Sequence, residues 1–175
     1  MELYRVPFDT NTHPIRISQG RLGPWSHFMH ESANNDLENA VDFALPLGTP
    51  VLAARSGRLM SVFLEGDWCY EGLNAEIGNN PPPGSTNFVA VEHADETIAI
   101  YSHLSRERVH LESSIISVGD VIGFTGKSGW IAEVPHLHFQ VIKLPGRRTL
   151  PVFFENYHGP LIHAELERLG LVYRG

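Results

Sequence analysis

Glycine and proline punctuate this 175-residue chain so evenly, at 16 and 12 positions, that its apolar sequence is cut into runs of only a few residues. Proline is tolerated at element starts, edges and turns, and glycine weakens the interior of a helix or strand. The surviving runs include residues 49–54, 88–92, 97–102, 121–125 and 137–142. Short apolar runs between turn residues predict a mostly β protein. Residues 89–93 and 97–102, on either side of Ala94-Asp95-Glu96, predict a hairpin with a short acidic loop. One helix is expected over residues 160–169, where Leu161, Ile162, Leu166 and Leu169 form a helical stripe and Gly170 stops it. Residues 47–57 echo residues 118–129, each with an apolar residue, a glycine turn, a short strand and a basic-Ser-Gly turn. Two related β units packed face to face explain the echo, and chance likeness of short β-turn-β segments is the alternative.

The length suits one domain with a sizeable core. A net charge of −7, with Lys127 and Lys143 as the only lysines, lacks the basic footprint of a nucleic-acid binder. No apolar run is long enough for a membrane span. Cys69 is the single cysteine, so an intrachain disulfide is excluded. Residues 1–8 do not read as a signal peptide, so either the protein is not exported or a leader has been removed.

The proline run at 81–83 excludes residues 79–86 from helix and strand. With residues 65–77 they form a long irregular insertion that is expected, with residues 126–134, to wall a groove. Trp130 is read as an aromatic plugging a loop into the core, with substrate contact as the alternative.

Chemistry concentrates in the histidines, of which there are ten. In Pro135-His136-Leu137-His138-Phe139 the two imidazoles lie two residues apart on an expected strand, so they share a face while Leu137 and Phe139 point into a core. Such a pair suits metal binding or proton transfer. Asp42, inside the apolar run Ala40-Val41-Asp42-Phe43-Ala44, must be paired or bound to a cation if buried; a turn cap before Pro46 is its bland reading. His103 follows the strand at 98–102, and by alternation it is expected on the face of Tyr101 and Ala99. A phosphate loop ending at Gly126-Lys127-Ser128 fails, because Val121 stands where the first glycine is needed. No Gly-x-Ser-x-Gly elbow exists, and Cys69 has no basic or histidine neighbour. Arg147-Arg148 reads as a solvated pair in a turn.

Taken in order, several segments resemble the LytM/lysostaphin-type zinc metallopeptidases, the M23 family of peptidoglycan endopeptidases. They are Ile17-Ser18-Gln19-Gly20 with Gly23-Pro24-Trp25-Ser26-His27, the stretch 40–51, Ala53-Ala54-Arg55-Ser56-Gly57, Val91-Glu92-His93, Tyr101-Ser102-His103-Leu104, the stretch 118–123, and the His136/His138 run. The resemblance covers residues 15–142 and leaves 143–175 as a C-terminal extension of one domain spanning 1–175. It implies a mostly β fold, an antiparallel β-sandwich or half-barrel of two similar halves (a duplicated hybrid motif), with a short C-terminal helix. It further implies one Zn2+ per chain, with Asp42 and His138 as ligands and His103 and His136 as non-ligating catalytic histidines. The usual first ligand, a histidine four residues before the aspartate, is replaced by Glu38. His27, in the Ser-His pair found in some members, is favoured in its place, with His30 and Glu38 as alternatives.

The implied activity is hydrolysis of peptidoglycan cross-links or stem peptides by metal-activated water, outside the cytoplasm. With no His-Glu-x-x-His helix to supply a glutamate base, His103 or His136 is expected to take the proton of the attacking water and to stabilise the oxyanion. Two rival readings are an inactive module of the same fold that binds a cell-wall partner, and a carrier or phosphotransfer domain. The second needs a modified lysine at a hairpin tip or a phosphoryl-accepting histidine, and the residues flanking Lys127 do not fit.

Overall fold

A computed structural model describes residues 3–27, 36–67, 69–70, 84–111, 113–131, 134–146 and 148–175. In chain order its strands are β1 (Ile17–Gln19), β2 (Val41–Ala44), β3 (Pro50–Leu52), β4 (Gly57–Phe63), β5 (Cys69–Tyr70), β6 (Phe88–Glu92), β7 (Thr97–Ser102), β8 (Ile115–Ile116), β9 (Val121–Phe124), β10 (Gly129–Trp130), β11 (His136–Lys143) and β12 (Arg148–Thr149), followed by the helix α1 (His163–Arg168).

The strand that carries the histidine pair lies inside the main sheet. β11 is flanked by β2 and β7, both antiparallel, in an eight-stranded sheet of order β1-β2-β11-β7-β6-β4-β8, with β12 also on β11. Alternation gives this sheet two chemically different faces. Register aligns Val41, Phe139, Tyr101 and Val89 in one row across β2, β11, β7 and β6, and all four are buried in the main core. The neighbouring row on the opposite face runs Asp42, His138, Ser102 and Phe88. Leu137 and Phe139 therefore fill the core, as expected, and the imidazoles of β11 lie on the other side.

The hairpin of β6 and β7 forms as predicted, closed by the backbone bond from His93 to Thr97. Asp95 Oδ1 accepts from both the N–H and the hydroxyl of Thr97, and Glu96 takes the left-handed conformation at φ 65°. β4 was not foreseen. Its run Gly57-Arg58-Leu59-Met60-Ser61-Val62-Phe63 opens on glycine, mixes polar and apolar residues and carries a register shift between Leu59 and Ser61. The two echoing segments pair with each other as the separate ribbon β3–β9, a contact that neither requires nor excludes a duplication. α1 is shorter than the expected 160–169, because Ile162 is already in extended geometry. It buries His163 and Leu166, and Gly170 ends it at φ 68°.

Side chains from both flanks of residues 15–142 enter the same core, among them Tyr4, Val6 and Phe8 from one side and Phe154, Leu161 and Leu166 from the other. No helix among the described residues is long and apolar enough to cross a membrane. Most of the expected insertion at 65–86, and His30 with it, lies outside the described residues.

Candidate metal centre

Asp42 and His138 are direct neighbours across the β2–β11 ladder, so the sheet itself sets them side by side. His138 Nδ1 lies 2.9 Å from Asp42 Oδ1, and its Nε2 donates to Gln140 Oε1 at 3.0 Å. Asp42 is 4% exposed and His138 7%. The carboxylate is thus paired inside the sheet, and the turn-cap reading does not hold. Burial alone would raise the Asp42 pKa, but the neighbouring imidazoles of His27 and His136 and the contact with His138 hold it well below the usual carboxylate range. Burial works against protonation of His138 as well. The hydrogen bond and charge of Asp42, helped by Gln140, outweigh it and raise the His138 pKa.

His27 arrives from outside the sheet, on the turn that follows Gly23-Pro24-Trp25-Ser26. Its Nδ1 faces the Gly20 carbonyl at 2.9 Å, and since a carbonyl only accepts, that nitrogen carries the proton. The lone pair is left on Nε2, which is buried, has no hydrogen-bond partner and lies 3.4 Å from Asp42 Oδ2. An unpartnered buried acceptor beside a buried carboxylate fits a cation. His27, Asp42 and His138 each bring a ligand atom within 4.8 Å of the others. Tetrahedral zinc, with bonds of about 2.0–2.1 Å, sets its ligand atoms about 3.3 Å apart, so nitrogen and carboxylate donors at these spacings fit zinc. Glu38 is not in this group: its backbone carbonyl accepts from Leu22 N, and its charge acts on Arg21.

The other two histidines lie beside this trio. His136 donates Nδ1–H to the Val134 carbonyl at 2.8 Å, and its Nε2 is 3.9 Å from Asp42 Oδ2. His103 donates Nδ1–H to the Ser128 carbonyl at 2.8 Å. Its ring centroid is 4.7 Å from that of His136 and 5.8 Å from that of His138. His103 does not share the face of Tyr101 and Ala99 that strand alternation predicts. Tyr101 and Ala99 point into the core, but β7 ends at Ser102 and His103 turns to φ 64°, which swings its side chain to the histidine face. Burial, with the nearby His136 and His138, pushes the His103 imidazole down to about 3, against the opposing pull of the Ser128 carbonyl and Asp42. His103 is therefore neutral at physiological pH, with its Nε2 lone pair available.

A cavity of about 180 Å³ opens onto these groups. Trp25, Trp130, Ile131, Val134, Tyr173 and Arg174 help to wall it, so Trp130 is a half-buried wall residue and does not plug the core. Four supporting residues escaped the sequence reading. Gln140 was within reach of strand alternation, lying two positions after His138 on the same face. Gln19, Asn87 and Ser128 were not, because no periodicity links them to their partners: Gln19 reaches the Asp42 carboxylate, and Asn87 and Ser128 reach the Leu104 carbonyl. Asn87 donates to the carbonyls of Gly66 and Leu104, and the Ser128 hydroxyl, which also donates to Leu104, accepts from Asn87 N, bracing the backbone just after His103.

The sequence profile of Peptidase family M23 matches residues 36–151. Among curated proteins, the chain is 33% identical over 104 residues to the peptidoglycan DD-endopeptidase ShyA of Vibrio cholerae, a match covering 59% of this chain and 20% of that protein. It is 31% identical over 107 residues to lysostaphin of Staphylococcus simulans, covering 61% and 18% respectively. The DD-carboxypeptidase/endopeptidase Mpg of Neisseria gonorrhoeae matches over 146 residues at 28% identity, covering 83% of this chain and 25% of Mpg. The chain thus spans a quarter or less of these relatives. Among solved structures, the catalytic domain of lysostaphin from S. simulans superposes with a TM-score of 0.52 at 22% identity, covering 83% of this chain and 95% of that domain. A zinc-containing peptidase from V. cholerae does so at 0.53 and 23%, covering 85% of this chain and 39% of that one. With more than half of its length matched by the family profile and a fold shared with family structures, the chain belongs to peptidase family M23.

Proposed function

We propose that this chain is a zinc-dependent endopeptidase that hydrolyses peptide bonds in the cross-links or stem peptides of bacterial peptidoglycan. The observation that carries the reading is the convergence of His27 Nε2, the Asp42 carboxylate and His138 Nδ1, with two further imidazoles beside them. These three residues would hold the ion. Zinc, when bound, polarises a carbonyl and brings the pKa of water close to neutrality.

His103 and His136 each use Nδ1–H on a backbone carbonyl, which fixes ring orientation and leaves Nε2 as the working nitrogen. Together they orient the attacking water; one of them accepts its proton, donates to the oxyanion of the tetrahedral intermediate and then passes the proton to the leaving amine as the C–N bond breaks. Asp42 keeps its charge because the surrounding imidazoles and hydrogen bonds oppose protonation. An extended peptide crossing the cavity beside Trp25, Trp130 and Tyr173 is the substrate form that suits a site on a sheet face. Peptidoglycan is favoured because the ShyA relative is named a peptidoglycan endopeptidase. The chain then works outside the cytoplasm, where that polymer lies.

Metal analysis of the purified chain is expected to find close to one zinc per molecule, lost in Asp42→Ala and His138→Ala. Hydrolysis of purified peptidoglycan or of a Gly- or D-Ala-containing peptide should track the zinc. Unchanged zinc in both variants, or wild-type protein with full zinc and no turnover on any such substrate, defeats the reading.

A further inference from the structure

We infer that Gln19 is the positioning residue that joins the two halves of the metal centre, setting the orientation of the Asp42 carboxylate and the path of the turn that delivers His27. The inference rests on the metal reading above and adds to it how the site is assembled.

Gln19 ends β1 opposite Asp42 and is 3% exposed. Its carboxamide uses its full bonding capacity. Oε1 accepts the backbone N–H groups of Trp25 at 2.9 Å and Ser26 at 3.2 Å. Nε2 donates to Ser26 Oγ at 2.9 Å and to Asp42 Oδ2 at 3.1 Å. Backbone N–H groups only donate, so the oxygen end must face the turn and the amino end must face Asp42. The amide has one permitted orientation.

That orientation has two consequences. Asp42 Oδ1 lies against His138 Nδ1 and Asp42 Oδ2 accepts from Gln19, so its carboxylate is fixed at both ends. Residues 25 and 26 are tied to β1 immediately before His27, whose own Nδ1–H returns to Gly20, next to Gln19. Gly23 belongs to the same device: a Cβ there would sit 2.3 Å from Gln19 Cγ, so the turn passes directly against this side chain. Partners of this kind set ligand orientation, and their loss typically costs about 10–100-fold in metal affinity.

The test is zinc affinity, measured by competition with a chromophoric chelator, for wild type, Gln19→Met, His27→Ala and the double variant. Gln19→Met keeps side-chain length without donors or acceptors of comparable strength. It is expected to weaken zinc about 10–100-fold and to alter the visible spectrum of the cobalt-substituted protein, while metal-free thermal unfolding stays within about 4 °C of wild type. In the His27→Ala background the same substitution should weaken zinc by a smaller factor, because part of its action passes through His27. Wild-type zinc affinity and cobalt spectrum in Gln19→Met overturn the inference alone; failure of the wild-type chain to hold zinc overturns the metal reading and the inference with it. If Gln19→Met does not fold without metal, Gly23→Ala decides: weaker zinc with the fold kept supports the inference, and unchanged affinity overturns it. Loss of the metal-free fold in both variants also overturns it, since Gln19 is then a folding residue.

Discussion

Asp42 and His138 meet because β2 and β11 are hydrogen-bonded in register, whereas His27 reaches the same point on a turn with no strand of its own. On the sheet side, position follows from backbone pairing and from the core packed beneath, where Phe43, Tyr101 and Phe139 are fully buried. On the turn side, position depends on polar contacts: Gln19 to residues 25 and 26, and Gly20 to His27. The turn is braced from behind by the C-terminal segment. Arg21 N donates to the Leu161 carbonyl, His163 N donates to the Arg21 carbonyl, and Gly20 N donates to the His163 ring. Two of the three candidate ligands thus sit within the family-matched residues 36–151, while the third and its support come from the flanks.

The comparison breaks most sharply on the sheet side. Asp42→Ala or His138→Ala is expected to abolish zinc binding in metal analysis, a larger loss than the about 10–100-fold expected for an outer partner. His103→Ala and His136→Ala should retain the metal and lose about 10²–10⁴-fold in kcat on a peptide substrate, and wild-type turnover in either would remove that residue from the mechanism. Gly20→Ala probes the turn side. Its Cβ would lie 2.4 Å from the Leu161 carbonyl oxygen and 2.7 Å from Leu166 Cδ1. The strain is expected to cost about 1–3 kcal/mol in denaturant unfolding, and zinc affinity should fall with it, because the carbonyl that orients His27 moves. Unchanged zinc affinity in that variant would show that the two sides are not coupled through the C-terminal segment.

The smallest effect lies far from the centre, in the β6–β7 hairpin. Burial would raise the Asp95 pKa, but hydrogen bonds from Thr97 and Arg55 together outweigh it and hold the carboxyl down at about 2. A carboxylate depressed on folding adds stability above its unfolded pKa, and that contribution is lost as pH falls from about 4 toward 2. Asp95→Asn is therefore expected to lower thermal stability at neutral pH by less than about 1 kcal/mol, since the pair is partly exposed. It should also flatten the dependence of melting temperature on pH across that acid window, with zinc affinity unaltered.

Legibility in the sequence followed the same division. The bounds of β6 and β7 matched the apolar runs at 88–92 and 97–102, because both strands are short, β-rich and separated by a polar turn. The histidine pair on β11 was placed on the correct face by alternation alone. β4 escaped because its pattern is mixed and shifts register partway along. Alternation puts His103 on the wrong face because it assumes extended backbone, and the chain leaves that conformation at His103 itself. The choice of His27 over Glu38 came from a local motif, and the geometry that sets His27 beside Asp42 is a contact across 15 residues that no periodicity encodes.

The class of fold, the strand that carries the histidine pair and the residue types able to bind a cation are legible in the sequence alone, because these depend on local pattern and on the chemistry of imidazole and carboxylate. Only the tertiary structure decided that Asp42 stands opposite His138, that His103 turns back over the same face, and that Gln19 links β1 to the turn carrying His27. Register and long-range hydrogen bonding arise between segments distant in the chain, and their energies are not functions of any short window of sequence.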